Sequence, residues 1–210
     1  MKFDIIPVTD FKQNCTLIWD EKSLDAVIID SGGEVAKLIA EITKRSLNLQ
    51  YILLTHGHFD HVGGCAELAA HFSVPIYGPQ KEDEFLIKGL AIQSQMFGVA
   101  QCPDFTPDRY LQEGDEITLA DIKLAVLHCP GHTPGHIIFV NHADKLISMG
   151  DVLFQGGVGR TDFPKGDHTT LIHSIKTKIM PLGDDYQFIP GHGPMSNLAA
   201  EWQFNPFLQG

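Results

Sequence analysis

The sequence predicts an α/β protein built from two sheet-forming halves, each bringing helices of its own. Three observations predict it. Short β-branched apolar runs are cut by turn residues, apolar stripes at helical spacing lie between them, and no apolar run approaches the roughly 18 residues needed to cross a membrane. At 210 residues the chain is long enough to bury a substantial core, and residues 1–210 are expected to form a single domain.

Residues 2–7, 15–19 and 26–30 read as the strands of an opening antiparallel sheet. Ser31-Gly32-Gly33 ends that run, and Val35, Leu38, Ile39 and Ile42 then repeat at i, i+3, i+4, i+7, the stripe of a helix lying on a sheet. Residues 51–54 form an uninterrupted apolar strand that stops at Thr55, and Cys65–Phe72 resumes helical spacing after Gly63-Gly64. Residues 74–77 read as another strand. Residues 78–108 show no clear alternation and are expected to hold a short helix and an irregular surface excursion, from which Gln93, Gln95, Met96 and Phe97 could reach a pocket mouth. Glu116–Leu119 and residues 122–127 read as a hairpin across Ala120-Asp121, and residues 136–140 and 145–149 as a second one. Asp167 is placed to cap a helix carrying Leu171, Ile172, Ile175 and Ile179. Residues 186–189 read as the last strand, followed by a short terminal helix.

Fifteen Lys+Arg against 26 Asp+Glu leave a formal charge of −11, so the field of the chain repels phosphate backbones and anionic lipid. Neither nucleic acid nor a membrane is an expected partner, and a small molecule is. Residues 1–14 hold Asp4 and Asp10 where a signal peptide would be basic and then apolar, so a cytoplasmic location is expected. Cys15, Cys65, Cys102 and Cys129 are widely spaced, with no C-x-x-C, and read as reduced thiols. Nothing in the sequence sets the oligomeric state.

The chemistry lies in the histidines, 11 in all. Thr55-His56-Gly57-His58-Phe59-Asp60-His61 puts three imidazoles and a carboxylate just past a buried strand, where alternate side chains such as His56 and His58 point the same way and converge on one ion. Asp60 and His61 are then free to serve a neighbouring ion. Three further groups follow strand ends, each directly after a glycine: His132 after Gly131, Asp151 after Gly150 and His192 after Gly191. Five histidines and two aspartates suit Zn²⁺, Fe or Mn, and seven ligands are too many for one tetrahedral ion, so two divalent metals are expected, Zn first among them. Any one of these residues alone reads as a turn former or a surface histidine; the joint spacing carries the inference. His71, His142, His168 and His173 have no partner pattern and are assigned to the surface.

The motifs His56-x-His58-x-Asp60-His61, Pro130-Gly131-His132-Thr133-Pro134-Gly135-His136, Gly150-Asp151 and Pro190-Gly191-His192, in this order, resemble the metallo-β-lactamase superfamily in its glyoxalase II (hydroxyacylglutathione hydrolase) branch. The resemblance implies a four-layer αβ/βα sandwich, two mixed sheets face to face with helices outside and the metals at one edge. It implies one metal held by His56, His58 and His132, the other by Asp60, His61 and His192, and Asp151 with a hydroxide bridging both. Asp30 and Thr55 would orient ligand side chains. The longer members of that branch add a helical glutathione-binding domain and aromatic residues near the site. Here Asp162 and Pro194 stand at those aromatic positions and no such domain is expected, so the chain is similar to the short bacterial type. Arg160 matches the basic position and is the expected contact for a substrate carboxylate.

Two cations bring the pKa of a shared water from 15.7 toward about 7 and polarise a carbonyl oxygen. A thiol of pKa about 8.5 leaves as thiolate without an added acid, whereas an amine must first be protonated. No motif supplies a strong acid, so the expected reaction is hydrolysis of an S-acyl thiol such as S-D-lactoylglutathione, with Asp60 as the candidate proton acceptor. The run Gly159-Arg160-Thr161-Asp162-Phe163 also resembles persulfide dioxygenases of the same superfamily, in which His56, His132 and Asp151 would hold a single iron. A nuclease is disfavoured by the charge, and a non-catalytic binding module by the complete ligand set.

Overall fold

The computed structural model describes residues 1–209. The first half holds strands β1 (Lys2–Val8), β2 (Gln13–Trp19) and β3 (Asp25–Ile29), helix α1 (Val35–Lys44), strand β4 (Asn48–Leu53), helices α2 (Phe59–Val62) and α3 (Cys65–Phe72) and strand β5 (Ile76–Tyr77). Two short helices follow, α4 (Glu84–Ile87) and α5 (Leu90–Phe97). The second half holds β6 (Glu116–Leu119), β7 (Ile122–His128), β8 (Ile137–Asn141), β9 (Leu146–Gly150) and the small hairpin β10 (Leu153–Phe154) with β11 (Gly157–Val158). It ends with α6 (His168–Ser174), a π-helical turn over Ile175–Ile179, β12 (Gln187–Pro190), β13 (Ser196–Asn197) and α7 (Leu198–Phe204).

The strands form two mixed sheets, ordered β1-β2-β3-β4-β5 and β13-β12-β9-β8-β7-β6. Alternate residues of each strand go to different cores, as the period of two requires. Leu17, Ile28 and Ile52 pack with Leu38 and Ile42 of α1 and Leu68 of α3, whereas Ile18, Val27 and Leu53 pack with Leu124, Val126 and Phe139 of the other sheet. Ile138, Val140 and Ile147 face Leu171 of α6 and Leu198 of α7. Three stacked cores therefore separate four layers, helix, sheet, sheet, helix. Strands buried on both faces explain why 26–30 and 136–140 read as continuous apolar runs rather than alternating ones.

Strand direction decides where the loops emerge. β7 and β8 are antiparallel, β8 and β9 are antiparallel, and β9 and β12 are parallel, so β7, β9 and β12 all run the same way and their C-terminal ends share one edge of the sheet. In the first sheet β3 and β4 run parallel, with their C-terminal ends side by side. Those are the strand ends that precede Asp30, His56, His132, Asp151 and His192.

Two expectations are corrected. Residues 74–77 pair only over Ile76–Tyr77, because the Val74 N–H closes the end of α3 on the Ala69 carbonyl and Pro75 has no N–H to give. β12 is not the last strand: Ser196–Asn197 pairs with it before α7, whose cap is the Asn197 side chain accepting from the Ala200 N–H. The Asp167 cap is present, accepting from the Thr170 N–H at 2.7 Å.

Candidate metal centre

His56 follows β4, His58 precedes α2, and Asp60 and His61 lie in the first turn of α2. The loops after β7, β9 and β12 bring His132, Asp151 and His192 to the same place, so all seven groups meet at one edge between the sheets. One set is His56, His58 and His132, and another is Asp60, His61 and His192, with the ligating atoms of each set within 4.8 Å of one another. Asp151 lies between them, with Oδ1 at 3.4 Å from His61 Nε2 and Oδ2 at 3.6 Å from His132 Nε2 and 3.8 Å from His192 Nε2.

Hydrogen bonds behind the rings fix which nitrogen faces inward. Asp30 accepts from the Thr55 N–H at 2.8 Å, the Thr55 hydroxyl at 2.6 Å and His61 Nδ1 at 2.9 Å. Since the Thr55 hydroxyl donates to Asp30, His56 Nδ1 donates to the Thr55 oxygen, at 3.1 Å. His132 Nδ1 donates to the Arg160 carbonyl at 2.7 Å and His192 Nδ1 to the Phe11 carbonyl at 3.0 Å. Four imidazoles thus hold an outer N–H on an acceptor and turn Nε2 inward. Asp30, His56 and His61 also form a close group, but the oxygens of Asp30 are engaged with Thr55 and His61, so it acts from behind the rings.

The inward atoms fit a pair of divalent cations. His58 Nδ1 lies 3.1 Å from His56 Nε2 and 3.0 Å from His132 Nε2, and His61 Nε2 lies 3.3 Å from His192 Nε2. Ligands at about 2.0–2.1 Å on a tetrahedral ion stand about 3.3 Å apart. The bare Nε2 lone pairs of His61 and His192 repel unless a proton or a cation lies between them. Asp151 Oδ1 is buried and has no hydrogen-bond partner, which an adjacent cation would satisfy. Burial pushes His56 well below the ordinary imidazole range, His58 down to about 3 and His132 downward, so these three are neutral at pH 7 and hold their lone pairs ready. In the other set burial opposes protonation of His61 and His192, but the carboxylates outweigh it and raise both. A cation entering there displaces protons.

Sequence reasoning missed three residues that build this site. His136 is stacked on His56 with ring centroids 4.7 Å apart, and its Nε2 accepts the Asp151 N–H at 3.0 Å. It stands in the same Pro-Gly-His-Thr-Pro-Gly-His run as His132, which was its only signal. Gly150 between them has φ +53, and a Cβ there would lie 2.6 Å from the His136 ring. Asn14 gives its side-chain N–H groups to the Pro190 and Gly193 carbonyls, so the first sheet holds the loop that carries His192. Its signal was a polar side chain at the head of an apolar strand.

The third is Asp83. It lies in the charged run Lys81-Glu82-Asp83-Glu84, which reads as a solvated face, yet it is fully buried. Its carboxylate accepts from the Gly57 N–H at 2.9 Å, the Thr133 hydroxyl at 2.7 Å and the Gly135 N–H at 2.6 Å, tying the His56–His58 loop to the His132 loop. Burial pushes the carboxyl up to about 6 against the pull of those donors. Asp83→Ala would leave three buried donors unpaired. We expect a loss of about 2–4 kcal/mol in denaturant unfolding and metal binding weakened roughly 10–100-fold in chelator competition.

A cavity of about 590 Å³ opens onto the cluster, lined by His58, Asp60, His132, Asp151 and His192 at its floor. α4 and α5 supply one wall, so residues 84–97 are not a surface excursion; the polar look of 78–84 hid their packing. Arg160 lies at the rim, its guanidinium held by Asp162 at 2.9 and 2.7 Å and resting over Phe163 at 4.5 Å. His71, His142, His168 and His173 are exposed, away from the cluster.

A family model described as the metallo-beta-lactamase superfamily matches residues 8–192. The hydroxyacylglutathione hydrolase GloC of Haemophilus influenzae is 52% identical over 99% of this chain and 98% of its own length. Among solved structures, the BLEG-1 B3 metallo-beta-lactamase superposes with a TM-score of 0.92 at 34% identity over the whole of both chains. TTHA1623, solved in a di-iron-bound form, superposes with a TM-score of 0.88 at 36% identity, over 98% of this chain and all of its own.

Proposed function

The chain belongs to the metallo-β-lactamase superfamily, and from that premise we propose that it is a metal-dependent hydrolase of thioesters, of the hydroxyacylglutathione hydrolase type. The carrying observation is the convergence of seven donor groups with Asp151 between two sets. His56, His58 and His132 would hold one ion, Asp60, His61 and His192 the other, and Asp151 both. A divalent pair there supplies a water of lowered pKa and a Lewis acid for the carbonyl oxygen. Zinc suits the donor set, with iron or manganese as alternatives.

The residues of the chain do the rest. The cavity floor presents the thioester carbonyl to the cluster. Water adds to the acyl carbon, the C–S bond breaks, and the sulfur leaves as thiolate with the bonding pair. Asp60 Oδ2, 3.2 Å from His192 Nε2 and open to the cavity, is placed to take the proton that the attacking water loses. Burial works to raise the Asp60 carboxyl, but His61 and His192 outweigh it and hold it low, so it is an ionised carboxylate at neutral pH. Arg160 holds Asp162 through Nε and Nη2, which leaves its Nη1 donors to meet a substrate carboxylate.

Dialysis against a chelator is expected to lower turnover of S-D-lactoylglutathione by about 10³-fold or more, with recovery on adding Zn²⁺, Fe²⁺ or Mn²⁺. Full activity in protein shown metal-free by elemental analysis would sink the proposal. A mononuclear persulfide dioxygenase would leave His58, Asp60, His61 and His192 without a task, although all four converge here with the rest. No helix among the described residues is long and apolar enough to cross a membrane.

A further inference from the structure

We propose that the cavity selects thioesters carrying an aromatic or branched apolar group next to the reacting carbonyl or sulfur; this rests on the thioester hydrolase reading. The walls are the observation. Phe11, Phe59 and Phe97 pack ring against ring, with centroids 5.1 Å apart for Phe11 and Phe59 and 4.9 Å for Phe59 and Phe97. Phe163 continues this row of rings toward the cluster, with its centroid 5.0 Å from the ring of His58 and 6.5 Å from that of Phe97. Ile92 and Met96 from α5 continue the apolar surface to the mouth, where Met96 is 77% exposed.

A lactoyl group is far smaller than a cavity of about 590 Å³, so most of these walls are left for the thiol part or for a larger acyl group. The cationic side of the balance is weak. Arg160 is shared with Asp162, and Lys165 rests over the Phe85 ring at 4.1 Å. An exposed ion pair of this kind is worth about fivefold in an equilibrium at most. A single methylene in a fitted apolar pocket is worth about 10–200-fold in specificity. Apolar contact therefore outweighs charge in choosing the substrate, and the net charge of −11 further disfavours polyanionic ligands. The same apolar group can be carried by the acyl part or by the thiol part.

The test uses the metal-loaded protein and compares kcat/KM, each divided by the alkaline hydrolysis rate of the same ester. S-phenylacetylglutathione against S-D-lactoylglutathione probes the acyl side. The S-D-lactoyl ester of benzyl mercaptan against S-D-lactoylglutathione probes the thiol side. We expect about tenfold or more in favour of the apolar ester in at least one arm, and that arm identifies the side that enters the cavity. Met96→Gln, uncharged and at a position exposed enough for the fold to tolerate it, should reduce that ratio at least about threefold. Ratios below about tenfold in both arms, or a ratio unmoved by Met96→Gln, overturn the apolar assignment while hydrolysis itself stands. Absence of turnover on every thioester overturns the hydrolase reading and this inference together.

Discussion

Asp151→Ala is expected to lower thioester turnover on the order of 10³-fold and to reduce bound metal from two ions per chain toward one. Asp151 is the only one of the seven groups whose two oxygens face both sets, Oδ1 toward His61 and Oδ2 toward His132 and His192. On the proposed assignment its removal would leave each set three donors of its own but no anionic bridge between them, so charge compensation and ion spacing would fail together. The Asp151 N–H remains on His136, and the strand before it stays paired, so the backbone path survives. Elemental analysis, kcat/KM on S-D-lactoylglutathione and a thermal melt read the three quantities separately. Turnover within about tenfold of the parent, with two ions still bound, would show that Asp151 does not bridge. A melt that collapses along with the activity would move the explanation from chemistry to folding.

Gly191→Ala should disable the site about as thoroughly without touching a ligand. A Cβ at Gly191 would lie 2.0 Å from Asp151 Oδ1 and 2.7 Å from His61 Cε1, far inside van der Waals contact. The methyl group would occupy the space in which that carboxylate oxygen would reach the proposed cation. Turnover should fall by about 10²-fold or more, because a shift near 1 Å at a catalytic group costs on that scale. Gly156→Ala is the control for backbone strain. Its backbone is left-handed, at φ +68, whereas that of Gly191 is not, and nothing lies within 4 Å of its Cβ. There the cost is about 1–2 kcal/mol of stability with turnover unchanged. Turnover within about tenfold of the parent in Gly191→Ala would show that the space beside Asp151 is not what Gly191 supplies.

How far the site could be read from the sequence depended on whether a residue carried its meaning in local spacing. His56, His58, Asp60 and His61 crowd one short loop, and His132, Asp151 and His192 each follow a glycine after an apolar strand, so all seven stood out. Asp83 did not, because its neighbours Lys81, Glu82 and Glu84 make it look solvated, and only the arrival of Gly57, Thr133 and Gly135 gives its burial a reason. Asn14 and His136 were hidden for the same cause: each acts on a loop or ring brought to it by the other half of the chain or by a neighbouring strand. The wall formed by α4 and α5 was masked by mixed periodicity, since four- and eight-residue helices are too short for a stripe to repeat.

By itself the sequence determined the alternation of strands and helices, the donor types and their places at strand ends, and hence the class of chemistry. Those are properties of near neighbours along the chain, where backbone geometry imposes periods of two and 3.6 residues. Only the tertiary structure decided that β7, β9 and β12 run the same way, that Asp151 stands between two sets of ligands, and that the cavity above them is walled by rings. These depend on contacts across as many as 181 residues of separation, as between His192 and Phe11. No local pattern encodes such a contact, because its free energy comes from packing two surfaces that the chain brings together only when it folds.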